Sequence, residues 1–321
     1  MTGSTLSQQC AFGKVVLLGE HAINYGSKAL CAALSSSICI NAAKGKGRVF
    51  AKAQITAHHK TTLKSLGINE ELSRLVAIEK TIQQGYKLAM DCYGLSYENE
   101  LDFYIEFGFA PLLGLGGSAA LSVCLAKLAA DLQHKAIAQE QQLQAAIKIE
   151  TMFHGPTSGM DVKTVFYGGI GFIDQAKQFI ACPSSHIKLC IGYSGQPKNT
   201  KNQVEFIQQS YRNSPTKFQQ YMASISQLVD QGIIALQKNN LQQLGNLMTQ
   251  NHQILKAMGL STPPIETLCQ TALDAGAFGA KLTGAGGGGC VIALVDTFSQ
   301  QQVSHRWSAL GFDFFCDTVL S

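Results

Sequence analysis

The clearest alternation along the chain runs through Leu101, Phe103, Ile105 and Phe107, with Asp102, Tyr104 and Glu106 between them, and predicts a half-buried strand. Before it, Val15–Leu18, two short apolar runs within Lys28–Ala43, and the weaker alternation of Arg48–Thr56 read as strands. Leu72, Leu75, Val76 and Ile82 recur at helical spacing from Asn69, with Glu70 and Glu71 in the first turn. After residue 107 a glycine-rich connection, 108–117, leads into a run from Ser118 that sets Leu121, Leu125, Leu128 and Leu132 on one helical face. A second helix is predicted over 138–153, and a turn with a strand over Gly168–Ile173. A polar turn at Pro183-Ser184-Ser185 marks a domain junction. Beyond it lie a strand at Ile187–Tyr193, several Gln-rich helices between Thr200 and Ala275, and strands at Ala280–Thr283 and Cys290–Val295. A last helix and a terminal strand at 312–319 close the chain. Strands and helices mixed without strict βαβ alternation predict an α+β fold.

Composition narrows the class. Hydrophobic residues make up 46% of 321, enough for a large core, which excludes a disordered chain. Charged residues are 14%, against about 25% in an average soluble protein, so Gln, Asn, Ser and Thr carry much of the surface. A net charge of +4 without a basic run argues against a nucleic-acid partner. The ten cysteines form no CxxC pair and no zinc spacing, and several lie in apolar runs, so they read as buried, reduced thiols. No charged-then-apolar leader opens the sequence and no run nears 18 apolar residues, so a soluble cytoplasmic protein with no membrane partner is expected.

Candidate chemistry concentrates in three places. Pro111-Leu112-Leu113-Gly114-Leu115-Gly116-Gly117-Ser118-Ala119-Ala120 lies between a strand and a helix. Glycines there let backbone N–H groups approach an anion, and the helix N-terminus adds partial positive charge. Ser118 is placed to offer its hydroxyl to a phosphate-bound magnesium. The loop is neither a P-loop, since no Lys follows the glycines, nor a Rossmann fingerprint. The second segment is Lys281-Leu282-Thr283-Gly284-Ala285-Gly286-Gly287-Gly288-Gly289-Cys290. A plain hairpin needs two glycines at most, so four in a row point to backbone held close to a ligand. The third is a pair of polar clusters in apolar surroundings: Lys14 with Glu20 and His21, and Glu150 with His154 and Asp161. Glu150 and His154 share a face if helical, and Asp161 follows a glycine-containing turn. His58 and His59 read as ordinary surface residues.

Together these segments resemble the GHMP kinases, a family of small-molecule kinases. Phe12-Gly13-Lys14-Val15 through Gly19-Glu20-His21 to Gly26 is similar to the family's first motif, 111–120 to its phosphate loop, and 281–289 to its third motif. Asn251-His252, Gly259-Leu260-Ser261, Pro264-Ile265-Glu266 and Pro197-Lys198-Asn199-Thr200-Lys201 are similar to segments of the members that act on mevalonate. The resemblance implies a ribosomal-protein-S5-like N-terminal, ATP-binding domain over 1–183 and a ferredoxin-like C-terminal domain over 184–321, with ATP in the cleft between. It implies Asp161 as catalytic aspartate and Lys14 as its paired lysine. Pro111, Gly114, Leu115, Gly116, Gly117, Ser118 and Ala119 would bind ATP, and Ser118 and Glu150 would ligate Mg²⁺. Glu20, His21, Thr283 and Gly284 would line the acceptor pocket. The implied activity is ATP-dependent phosphorylation of mevalonate at its C5 hydroxyl, and a homodimer is an implied assembly.

Three departures from the family pattern stand out. Phe12 replaces the usual proline. Gly116-Gly117-Ser118 stands where Gly-Ser-Ser is usual, so residue 117 keeps its N–H and loses a hydroxyl. In His154-Gly155-Pro156-Thr157-Ser158-Gly159 the proline comes one place early. The sequence leaves open another acceptor of the same family (phosphomevalonate, galactose or homoserine), or a catalytically inactive ligand sensor.

Overall fold

The long strand β1, Thr5–Leu18, begins ten residues before the apolar run that predicts it, because its first half alternates between exposed and buried positions. This computed structural model describes residues 5–53, 71–96, 101–109, 113–133, 136–155, 157–182, 186–196 and 200–319. Pro111, Leu112, Pro156, the junction at Pro183-Ser184-Ser185, residues 197–199, His58, His59, Asn69 and Glu70 lie outside them.

A 3-10 turn, Ala22–Tyr25, follows β1. The two apolar runs of 28–43 form one strand, β2, Ala29–Lys44, which passes without a break through Ser35-Ser36-Ser37. Next come β3 (Val49–Ala53), α1 (Glu71–Cys92), β4 (Leu101–Phe107), α2 (Gly117–Leu132), α3 (Gln139–His154), α4 (Met160–Tyr167), β5 (Ile170–Ile173), β6 (Phe179–Ala181) and β7 (Ile187–Tyr193). Helices α5 (Thr200–Asn213), α6 (Pro215–Gln237), α7 (Leu241–Ala257) and α8 (Pro263–Asp274) lead to β8 (Gly279–Leu282), β9 (Cys290–Val295), α9 (Thr297–Ala309) and β10 (Phe314–Val319). The α+β expectation holds: helices and sheets are mixed, and every registered strand pair is antiparallel except β3 with β4.

The chain divides into two compact units. The first comprises Met1–Gly13, Ser36–Pro111 and Gly116–Tyr167; the second comprises Lys14–Ser35, Leu112–Leu115 and Gly168–Ser321. In the first, β3 runs parallel to β4, and β4 pairs with β2 from Ile38↔Phe107 to Lys44↔Leu101. Phe103, Ile105 and Phe107 are buried on β4, and the Tyr86 ring lies 5.3 Å from that of Phe103. Helix α2 is buried along most of its length, with Val123, Cys124, Leu125 and Leu128 inside, and packs on α1, α3 and α4.

Cys10 on β1 and Cys39 on β2 form a disulfide, with Cα atoms 4.1 Å apart. This corrects the expectation of uniformly reduced thiols. The strands bring the two residues within bridging distance, which 29 residues of separation do not reveal. The other eight cysteines form no disulfide among the described residues, and six of them are buried.

In the second unit a four-stranded antiparallel sheet runs β10-β7-β9-β8. Helices α7, α8 and α9 pack on it, and α6 packs on α7. Trp307 is completely buried among Leu268, Phe314 and their neighbours, and its Nε1–H donates to the Leu268 carbonyl at 3.1 Å. The start of β2, Ala29–Ala32, pairs with β5, and β5 pairs with β6. At the crossing of α7 and β8 the backbones touch at Gly245 and Gly279, where neither residue has room for a Cβ.

Candidate functional site

In the first unit the chain enters α2 through Gly116, which has φ +79° and serves as the N-cap, a left-handed conformation open to glycine at little cost. Gly117 and Ala119 are buried in the first turn. Gly116 provides no side-chain cap among the described residues, and the positive end of the helix dipole at this point favours an anion.

Ser118 Oγ donates to Glu150 Oε1 at 2.9 Å, and Ser122 Oγ donates to Glu150 Oε2 at 3.1 Å. The structure therefore brings together the two expected magnesium ligands, across the packed pair α2 and α3. Two neighbouring ligands of an octahedral Mg²⁺, each at about 2.0–2.1 Å, stand about 2.9 Å apart, which matches the Ser118–Glu150 oxygen separation. Among the described residues no group of three His, Cys, Asp or Glu gathers as a metal site. Other oxygens, such as those of a nucleotide phosphate, would have to complete the shell. Ser122 was not a sequence candidate; its signal is the i, i+4 spacing from Ser118 on one helix face.

Asp161 lies in the first turn of α4, where the helix dipole favours a carboxylate. The sequence predicts a turn in this stretch and no helix. The turn is present at Thr157–Gly159, where the Gly159 N–H donates to Thr157 Oγ1 and the Met160 N–H to Ser158 Oγ. Helix α4 packs on both α2 and α3. His154 ends α3 at the last position of the turn that begins with Glu150.

Lys14 belongs to the second unit, where its ammonium-bearing side chain is buried and its N–H donates to the Leu115 carbonyl at 2.8 Å. Gly114, with φ +80°, precedes that residue. The same unit holds every expected acceptor-pocket residue. Thr283 Oγ1 accepts from the Val16 N–H at 3.0 Å and stitches the end of β8 to β1. The carbonyl of Ala285 can only accept, so His21 Nε2–H donates to it at 3.0 Å, from a residue held at φ +62°. A non-glycine residue in that region marks a site whose surroundings over-determine its backbone.

Glu20 is buried and forms an ion pair with Lys281, which is completely buried. Burial pushes the Glu20 carboxyl up and the Lys281 ammonium down, and their mutual attraction opposes both shifts. Neither the Lys281 pairing nor the His252 linkage is signalled by the sequence pattern. His252 Nδ1 accepts from the Leu282 N–H at 3.3 Å, so its Nε2 carries the proton and donates to Glu266 at 3.1 Å. Burial lowers the His252 pKa and keeps the ring neutral. Asn251 Oδ1 accepts from the Gly19 N–H at 3.3 Å, one residue before Glu20.

The glycine run after β8 is filled in part by the protein itself. A Cβ on Gly286 would meet the Leu260 carbonyl at 2.6 Å, and one on Gly287 the Gln203 side chain at 2.1 Å. Gly284, Gly286, Gly287, Gly288 and Gly289 all have positive φ. At 286 and 287 the close approach that the sequence attributes to a ligand is made by residues of α5 and the α7–α8 connection.

The pattern "GHMP kinases N terminal domain" matches residues 76–169, and "GHMP kinases C terminal" matches residues 233–313. Mevalonate kinase of Pyrococcus abyssi is 30% identical over 302 residues, covering 88% of this chain and 86% of its own. Among solved structures, L. major mevalonate kinase in complex with R-mevalonate superposes with a TM-score of 0.83 at 22% identity, over 99% of this chain and 98% of that one. Methanococcus jannaschii mevalonate kinase gives 0.81 at 21%, over the whole of both chains. The chain belongs to the GHMP kinases, in the branch that contains the mevalonate kinases. It is an enzyme of the kinase class with ATP as its phosphoryl donor. Among the described residues no helix is long and apolar enough to cross a membrane.

Proposed function

We propose that the protein transfers the γ-phosphoryl group of ATP to the C5 hydroxyl of mevalonate, giving 5-phosphomevalonate and ADP. The observation that carries the choice of acceptor is the 30% identity to a mevalonate kinase over 88% of the chain. Phosphoryl transfer asks a protein mainly for positioning and charge neutralisation. The N–H groups at the start of α2, with the Gly114–Ser118 turn, hold phosphate oxygens. Mg²⁺ held by Ser118 and Glu150 would neutralise charge on the β- and γ-phosphates. Asp161 accepts the proton of the C5 hydroxyl as its oxygen bonds to the γ-phosphorus and the bond to the β,γ-bridging oxygen breaks. Such a base contributes about 10²–10⁴-fold. Lys14 stabilises developing negative charge. Glu20, His21, Thr283 and Gly284 orient the acceptor's polar groups.

The same reading assigns ATP binding to 1–183 and the remainder to a C-terminal domain over 184–321. It also places the enzyme in the cytoplasm as a homodimer, which sedimentation would test by giving twice the mass of one chain.

An ADP-release assay with MgATP and separate acceptors tests the reaction. Turnover with mevalonate, and none with phosphomevalonate, galactose or homoserine, with the product phosphorylated at C5, is the expected result. Turnover with another acceptor alone would overturn the substrate. ATP binding without turnover on any acceptor would favour a ligand sensor.

A further inference from the structure

Lys281 is a lysine with no access to solvent, in a strand whose other residues are all buried too. An ammonium in such a place is retained only if its hydrogens and its charge are matched. All three hydrogens have acceptors: Glu20 Oε1, the Leu282 carbonyl at 2.7 Å and the Val16 carbonyl at 3.3 Å. The backbone beside it is fixed as well, because His252 takes the Leu282 N–H and is itself held by Glu266. Lys281 therefore has one place to stand, and it grips only one of the two oxygens of Glu20. The other, Oε2, is buried and has no hydrogen-bond partner among the described residues. Asn251 Nδ2 is in the same condition, on a side chain whose oxygen pins the N–H of the residue before Glu20. Leaving a buried carboxylate oxygen unmatched is costly, and a polar ligand group would remove the cost.

We propose that Lys281 is a positioning residue for the reaction: it fixes Glu20 through Oε1 and turns Oε2 toward the acceptor as a charged hydrogen-bond acceptor for a hydroxyl of that molecule. The inference rests on the reading that Glu20 lines the acceptor pocket. The other titratable groups facing the pair are Lys14 beside Glu20, and Cys31, Cys269 and His252 beside Lys281. Of the groups acting on Glu20, Lys281 is the strongest that favours ionisation, so its removal lets burial raise the Glu20 carboxyl further. The acceptor-binding form, the carboxylate, is then lost as the pH falls and regained as it rises.

The experiment uses the full chain with Lys281→Met, Glu20→Gln and the double variant. KM for mevalonate and kcat are measured from about pH 6 to about pH 9, a range that reaches documented buried carboxyls. Lys281→Met should raise KM about tenfold near neutral pH while kcat changes less, and KM should fall again toward high pH. Glu20→Gln in the same background should abolish that pH dependence. Infrared difference spectra should show a protonated buried carboxyl in Lys281→Met that is missing from the double variant. A folded Lys281→Met with a flat, wild-type KM profile, or without the carboxyl band, would overturn the proposal. If Lys281→Met does not fold, the double variant decides. Kinetics matching those of Glu20→Gln alone support the assignment, whereas misfolding or a further tenfold loss overturns it. A wild-type KM in Glu20→Gln would instead remove Glu20 from the pocket and sink the underlying reading, with the infrared band still reporting what Lys281 does to Glu20.

Discussion

Replacing Gly279 by alanine tests how tightly α7 sits on β8, the two elements that carry Asn251, His252 and Lys281. A Cβ at 279 would lie 1.9 Å from the Gly245 carbonyl oxygen, 2.3 Å from its carbon and 2.6 Å from its Cα. The reverse substitution meets the same wall, since a Cβ at 245 would lie 2.3 Å from the backbone of Phe278. A close C–H···O contact is about 3.3 Å, so helix and strand must part by more than about 1 Å. No rotamer change relieves a clash between backbones, and separation loosens the buried side chains Leu244, Leu247, Met248 and Leu282. Overpacking costs about 1–3 kcal/mol and sometimes more; with backbone on both sides we expect about 3 kcal/mol. At about 2–4 °C per kcal/mol for a unit of this size, the calorimetric melting transition should fall by about 6–12 °C. Gly85→Ala on α1 is the control. Its Cβ would face side-chain methyls, Leu125 Cδ1 at 2.8 Å and Ile149 Cγ2 at 3.2 Å, which can move. Alanine also gains up to about 1 kcal/mol of helix propensity there, so the net change should be small. A fall of less than about 2 °C for Gly279→Ala, or equal shifts for both variants, would refute the reasoning.

Asp161→Asn should lower kcat by at least about two orders of magnitude, roughly 2.7 kcal/mol, with ATP affinity in equilibrium binding nearly unchanged; wild-type turnover would remove it as the base. Ser118→Ala should shift the magnesium titration of activity to higher concentration, and an unchanged titration would count against its ligand role. Ser122→Ala leaves Glu150 Oε2 without that donor and should cost about 1–3 kcal/mol in urea unfolding. Asp102 accepts from Arg48 and from the Lys46 N–H, and the Arg48 side chain, chief among these contacts, outweighs burial and holds its carboxyl down to about 2. A depressed carboxyl stabilises the fold above its ordinary value and loses that contribution as pH falls from about 4 toward 2. Asp102→Asn should therefore flatten the stability–pH curve in that window, and an unchanged slope would contradict the pairing.

Long-period features were readable from the residues. The alternation over 101–107 and the leucine face after Ser118 fix β4 and α2, and the glycines before Ser118 mark the helix entry. What escaped was either short or distant in sequence. Helix α4 has eight residues, too few to show a period, and Thr157-Ser158-Gly159 ahead of it reads as a turn. Strand β2 looks like two because Ser35–Ser37 interrupt its apolar pattern, although the Ser35 N–H is satisfied by Asp317 at 3.0 Å. β6 has three residues, none of them buried. The Lys281–Glu20 pair joins residues 261 positions apart, and a lysine in an apolar strand gives no hint of its partner. Ser118 and Glu150 were paired only through the family resemblance; their meeting depends on how α2 packs on α3, which spacing along the chain does not encode.

The single tryptophan makes the protein an unequal witness to its own unfolding. Trp307 is sealed within the second unit, against Leu268 and Phe314, so its emission follows the environment of α8, α9 and the β10-β7-β9-β8 sheet. The helices that hold Ser118, Glu150 and Asp161 contribute no indole. A fluorescence-detected melt would therefore be silent about the first unit, and a divergence between emission and circular dichroism would time the two units separately.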